Sequence, residues 1–229
     1  MQAAERKRAR RARSAEGARV AILAAAEEIF ARDGFSGARV DDIAAAAGYN
    51  KALIFHYFSD KLTLYRALVA GVKRENGERI VELMRLFFPD DGVPLEASRV
   101  REFIAAAVGW TFDMYVSHPG LPRMLAWEAA EGWQTYAACP TPLGQVSWMT
   151  SARSLIRRAQ AAGIVRSDVD PEMLIANIMG MTLIYLISLP RYRGLFPEKD
   201  FNSPEATARA REQLVSLVLV GVLNSTQQK

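Results

Sequence analysis

The sequence has little of the chemistry most enzymes rely on. Its 229 residues include one cysteine, Cys139, and two histidines. No intramolecular disulfide can form, no His/Cys cluster has metal-ligand spacing, and acid/base machinery is scarce. The G-x-S-x-G elbow, the P-loop and the dinucleotide glycine fingerprint are all missing, which removes the common local signatures of catalysis. Strand-like alternation and internal repeats are absent too. The first residues are arginine-rich rather than apolar, unlike a secretion signal. Met173 to Leu189 runs 17 residues without a charge, short of the roughly 20 a membrane span needs. Asn177, Thr182 and Ser188 interrupt that run, so it reads as a buried helix, with the cytoplasm as the expected compartment and no membrane partner.

Half of the residues are hydrophobic, enough to bury a real core. The formal charge of +4 lies entirely at one end. Residues 1–70 hold 12 Lys and Arg against 8 Asp and Glu, whereas residues 71–229 hold 17 of each. Arg6, Lys7, Arg8, Arg10, Arg11, Arg13 and Arg19 face only Glu5 and Glu16, so the first twenty residues carry a balance of +5. Such an arm attracts polyanions; taken alone, it is equally a solubilising tail.

The periodicity is helical throughout, which predicts an all-α chain. A helix of good formers runs from Ser14 to about Arg32 and stops at Asp33-Gly34. A short second helix covers Val40 to Ala47, with Asp41 and Asp42 in the first turn where carboxylates suit the helix dipole, and Gly48 ends it. Asn50 can cap a third helix over Lys51 to Phe58, and Ser59 a fourth that continues toward Phe87. Two helices of about eight residues joined by Gly48-Tyr49-Asn50 form a helix-turn-helix, whose second member is free to enter a DNA groove. Neither is stable alone. Ile22, Ala26, Ile29 and Phe30 of the first helix, with Ile43, Ala44, Ala47, Leu53, Ile54 and Phe58, complete a small core.

Further helices read as Glu96 to Ser117, Leu121 to Glu131, Leu143 to Ala162, Pro171 to Leu189 and Pro204 to Leu223. The last two are apolar on nearly every face, which predicts a homodimer whose interface is a four-helix arrangement of both copies. The expected organisation is a flexible basic arm (1–13), a helix-turn-helix domain (14–70) and a helical ligand-binding and dimerisation domain (71–229).

Residues Ile22 to Leu68 read ILAAAEEIFARDGFSGARVDDIAAAAGYNKALIFHYFSDKLTLYRAL. They join a helix of the form A-x-x-x-F-x-x-x-G-[FY], a second ending D-I-A-x-x-A-G, a third ending H-Y-F, and a lysine three residues beyond. This stretch resembles the tetracycline-repressor-like (TetR) family of regulators. Gly163 to Pro171 is similar to the bend before that family's final two helices. The resemblance implies an all-α homodimer with two DNA-binding heads and a variable ligand-binding body, with repression relieved by a small effector. It implies no reaction and no cofactor.

On that basis Lys51 is expected to reach a guanine edge or a phosphate, and Ala52 and Leu53 to approach thymine methyls, Leu53 being equally a core residue. Asn50 stands for the family's usual serine cap, and Arg39 for its usual Thr or Ser, losing a cap but adding a phosphate contact. Phe55 replaces a common tyrosine and offers only apolar packing, while Tyr57 retains a hydroxyl for a phosphate. His56 reads as a surface or phosphate-facing group rather than a metal ligand. Lys61 reads as a phosphate clamp at a helix N-terminus. The ligand site is expected among Trp110, Met114, Met124, Trp127 and Trp148, with Glu128 orienting a polar or cationic end. The competing function is a DNA-binding or architectural protein that responds to no ligand.

Overall fold

The computed structural model describes residues 2–88, 94–139 and 143–224. Among them are eleven helices and no strand: α1 (Gln2–Gly37), α2 (Val40–Ala47), α3 (Lys51–Phe58), α4 (Lys61–Phe87), α5 (Ala97–Ser117), α6 (Gly120–Ala130), α7 (Gln134–Ala137), α8 (Leu143–Ala161), α9 (Pro171–Ile187), α10 (Leu189–Leu195) and α11 (Pro204–Val222). The all-α expectation holds. Helix α1, starting at Gln2, takes in the residues expected to form a flexible arm.

Local chemistry explains the boundaries. Gly34 breaks α1 at φ 71°, ψ 176°, a conformation essentially reserved for glycine. Gly48 ends α2 in the left-handed region, and the N–H of Tyr49 closes back on Ala44 O at 3.0 Å. Arg39 gives α2 no side-chain cap. Asn50 caps α3, its Oδ1 accepting from Leu53 N at 2.8 Å. The cap of α4 is Asp60, which accepts from Thr63 N at 2.6 Å, and not Ser59, which sits at φ 48° with its hydroxyl on Thr63 Oγ1. The helix expected to reach Leu189 ends at Ile187, and the chain turns 64° into α10 because Pro190 has no N–H to continue the ladder.

The chain divides into two compact units. The first comprises 1–72 together with 120–140. Ile22, Ala26, Ile29 and Phe30 of α1 pack with Ile43, Ala44, Ile54 and Phe58 and with Leu64, Tyr65 and Leu68 of α4. Met124 of α6 and Cys139 close the same core. The second unit comprises 73–119 and 141–229. Phe103, Ile104, Val108 and Phe112 of α5 lie at its centre, among Ile80 and Leu83 of α4, Leu155 and Ile156 of α8, and Leu214 and Val218 of α11. Asn224 stitches the end of the described chain to the 163–165 bend, with its N–H on Ile164 O at 3.0 Å and its amide on Gly163 O at 2.6 Å. No single helix among the described residues is long and apolar enough to cross a membrane; α9 and α10 pass that test only as a bent pair.

Candidate nucleic-acid interface and ligand cavity

The helical repeat of α3 sorts its eight residues. Ile54 and Phe58 point into the first unit's core and are 1% and 3% exposed. Lys51, Ala52, Phe55 and His56 are exposed, while Leu53 and Tyr57 are half-buried. Positions i, i+1, i+4 and i+5 share one face of a helix, so the exposed four make a single surface. The phenyl ring of Phe55 lies along it, with Lys51 Nζ 6.0 Å from the ring centroid. Lys51 also pairs with Asp41 of α2 at 2.9 Å, a tie between the two helices in which both partners remain accessible. Tyr57 packs edge-on to His56 at 5.4 Å. Tyr49, in the turn ahead of α3, is exposed as well. Nothing in its local sequence singles it out chemically, apart from its place between the stop at Gly48 and the cap at Asn50.

Lys61 is placed differently from its expected role as a phosphate clamp. Its Nζ donates to Phe35 O at 2.8 Å and Ala38 O at 3.0 Å, closing the end of α1, and it sits 4.6 Å above the Phe35 ring. The amide of Thr63 at the same helix start is already taken by the Asp60 carboxylate, and that hydrogen bond is the main cause holding the Asp60 pKa below its usual range. The ammonium and one of the free amides expected to hold a phosphate thus serve the fold itself. Arg39 is exposed beside the start of α2.

Two of the expected ligand residues lie in the first unit's core. Glu128 is 2% exposed, and it accepts from Tyr65 Oη at 2.7 Å and from Tyr136 N at 2.9 Å. Burial, followed by this bond to Glu128, pushes the Tyr65 phenol well above its ordinary range. Met124 is buried beside them. Trp127 lies on bare Gly34, where an added Cβ would come within 3.1 Å of the indole. A carboxylate this far from solvent and held by two donors is satisfied within the fold.

The second unit encloses a cavity of about 80 Å³ walled by α4, α5, α8 and α9. Of the expected ligand residues, Trp148 lines it. Trp110 stands behind the wall, donating its indole N–H to Asn76 Oδ1 at 3.1 Å, and Met114 is buried on α5. Asn76, Phe103, Ile104 and Ile178 also line the cavity. Periodicity marks the last three as core but cannot tell a wall from a filled interior. Asn76 lies in a polar run whose only sign of a packed face is Gly77. An added Cβ there would meet Trp148 Cδ1 at 2.8 Å.

Outside these interiors, Met173, Met181 and Ile184 of α9 and Leu217 and Val220 of α11 are exposed by 43–65%. Apolar side chains at such spacing on two helices form a larger uncovered surface than isolated exposed residues do.

Residues 22–68 match the family described as bacterial regulatory proteins, tetR family, and residues 101–218 match the tetracyclin repressor-like C-terminal domain. The HTH-type transcriptional repressor NicS of Pseudomonas putida is 29% identical over 171 residues, covering 72% of this chain and 73% of that one. The HTH-type transcriptional regulator RutR of Escherichia coli is 28% identical over 187 residues, 80% of each. In fold, the chain is similar to the ketosteroid transcriptional regulator KstR2 of Mycobacterium tuberculosis, with a TM-score of 0.65 at 16% identity over 90% of this chain and 95% of that one. A head built on α2 and α3, a separate helical body and matches that together take in both place this chain in the TetR family of DNA-binding, non-enzymatic transcription regulators.

Proposed function

We propose that the chain is a cytoplasmic repressor that holds a palindromic operator as a homodimer and releases it when a small apolar or amphipathic effector enters the second unit. The observation that carries the DNA side is the exposed face of α3, fixed from beneath by Ile54 and Phe58. Lys51, Ala52, Phe55 and His56 meet the major groove, Lys51 swinging from Asp41 to a guanine edge or phosphate and Ala52 packing on a thymine methyl. Leu53 supports that surface. Arg39 and the Tyr57 hydroxyl take phosphates; Asn50 orients the helix as its cap, and Lys61 positions it by closing the end of α1.

The uncovered faces of α9 and α11 support a two-fold interface with a second copy. A two-fold pair of heads must meet grooves one helical turn or a multiple apart. The helix α4 contributes Leu64, Tyr65 and Leu68 to the first core and Ile80 and Leu83 to the second. An effector that tilts α4 therefore changes the separation of the two α3 helices, and a shift of a few ångströms is enough to lose the register.

Selection of binding fragments from random duplexes, followed by footprinting, tests this proposal. A protected inverted repeat with half-sites about one turn apart is expected. Binding no tighter than to random duplex at physiological salt overturns it.

A further inference from the structure

The cavity of the second unit, taken as the effector site proposed above, presents hydrocarbon almost everywhere. Phe103, Ile104, Ile175 and Ile178 are among its lining residues, and none of the described lining residues carries a charge. An ion entering this space would shed its hydration without gaining a counter-charge. The polar side chains on the wall are Asn76 and Thr111, with the indole of Trp148 beside them. Thr111 already donates its hydroxyl to Ala107 O at 2.9 Å.

Asn76 is oriented from behind. Trp110 Nε1 lies 3.1 Å from Asn76 Oδ1, and an indole N–H only donates. The amide must therefore keep its oxygen toward Trp110 and its NH2 away from it. Among the described residues no acceptor meets that NH2. Trp148 Nε1 is buried and likewise has no acceptor, its ring edge lying against Gly77. The wall thus carries two N–H donors without a protein acceptor, the Trp148 indole buried and the Asn76 amide half-buried, and a donor gains from a ligand acceptor most where it is buried.

We infer that this cavity selects small neutral molecules, mostly hydrocarbon, that carry one hydrogen-bond acceptor. Asn76 is the specificity-determining donor, and Trp110 is the positioning residue that holds the amide in its donor orientation. This rests on the cavity being the effector site, but its test does not depend on DNA release.

The full-length protein is titrated with four rings of similar shape: cyclopentanone, methylenecyclopentane, cyclopentylammonium and cyclopentanecarboxylate. The indole N–H resonances of Trp110 and Trp148 are followed, assigned by single Trp→Phe variants. Cyclopentanone is expected to bind about tenfold more tightly than methylenecyclopentane, and the two ions to shift neither resonance. Asn76→Leu, close in volume, should abolish the preference while retaining the hydrocarbon. Trp110→Phe should weaken the preference by freeing the amide to turn, with the Trp148 resonance as its readout.

Equal affinity for the two neutral rings overturns the inference, as do binding of either ion, a preference that survives Asn76→Leu, or no binding by any of the four. Should cyclopentanone bind with the expected pattern yet leave operator affinity unchanged, the ligand class stands and the effector reading falls.

Discussion

Replacing Lys61 by methionine separates two roles for one ammonium. If it serves the fold, the substitution strands the carbonyls of Phe35 and Ala38, which accept at 2.8 and 3.0 Å, and removes a cation 4.6 Å above the Phe35 ring. A net hydrogen bond contributes about 0.5–1.5 kcal/mol and a partly exposed cation–π contact about 0.5–1. The methionine stem retains some of the apolar packing, so the total is roughly 2 kcal/mol. With a urea slope of about 2 kcal/mol per molar, the midpoint falls by about 1 M. Urea unfolding is followed by circular dichroism at one fixed protein concentration, because dimerisation adds to apparent stability. Operator titrations against salt run alongside. The expected result is a lower midpoint with an unchanged slope of affinity against salt. The reverse outcome, an unchanged midpoint and a slope reduced by about one unit per lost phosphate, would refute the structural role and make Lys61 a phosphate clamp.

Gly34→Ala places a Cβ at φ 71° and within 3.1 Å of the Trp127 ring, so a loss of about 1–3 kcal/mol is expected in the same unfolding assay; an unchanged midpoint would mean the turn re-forms. Burial pushes the phenols of Tyr65, Tyr136 and Tyr185 above their ordinary value. Their contribution to stability is complete below the unfolded tyrosine pKa of about 10 and is lost as pH rises toward the folded values. Thermal melts from pH 7 to 12 should decline above about pH 10, with a shallower decline in Tyr65→Phe. Leu217→Glu puts a charge on the uncovered face of α11 and should shift the mass seen by light scattering from dimer to monomer; a dimer of unchanged stability would place the interface elsewhere.

The helices that carry the DNA-binding surface were legible because their signals are local. Gly48 and Asn50 lie within three residues of the elements they bound, and α2 and α3 span the same residues in sequence and structure. Ser59 is the cap that composition suggests for α4, but its backbone lies at φ 48° and Asp60 takes the role instead. The short α7 and α10 have too few residues to show a period. What stayed hidden depends on distant partners. Nothing near Lys61 in the chain announces the carbonyls at the end of α1. Glu128 reads like a surface carboxylate until Tyr65, 63 positions earlier, is folded onto it. The cavity escaped for the same reason, since an aromatic-rich sequence does not distinguish a filled core from a hollow one, and the amide that marks this one sits in a polar stretch of α4.

The first unit is discontinuous in the chain, which bears on how its DNA-binding half is isolated. A fragment cut after residue 72 would retain α1, α2, α3 and the beginning of α4, yet it would strip Met124 and Cys139 from their core and leave the Tyr65 hydroxyl without its acceptor. Such a fragment should express as a sticky, poorly folded peptide. A well-behaved minimal head needs residues 120–140 spliced back through a short engineered linker.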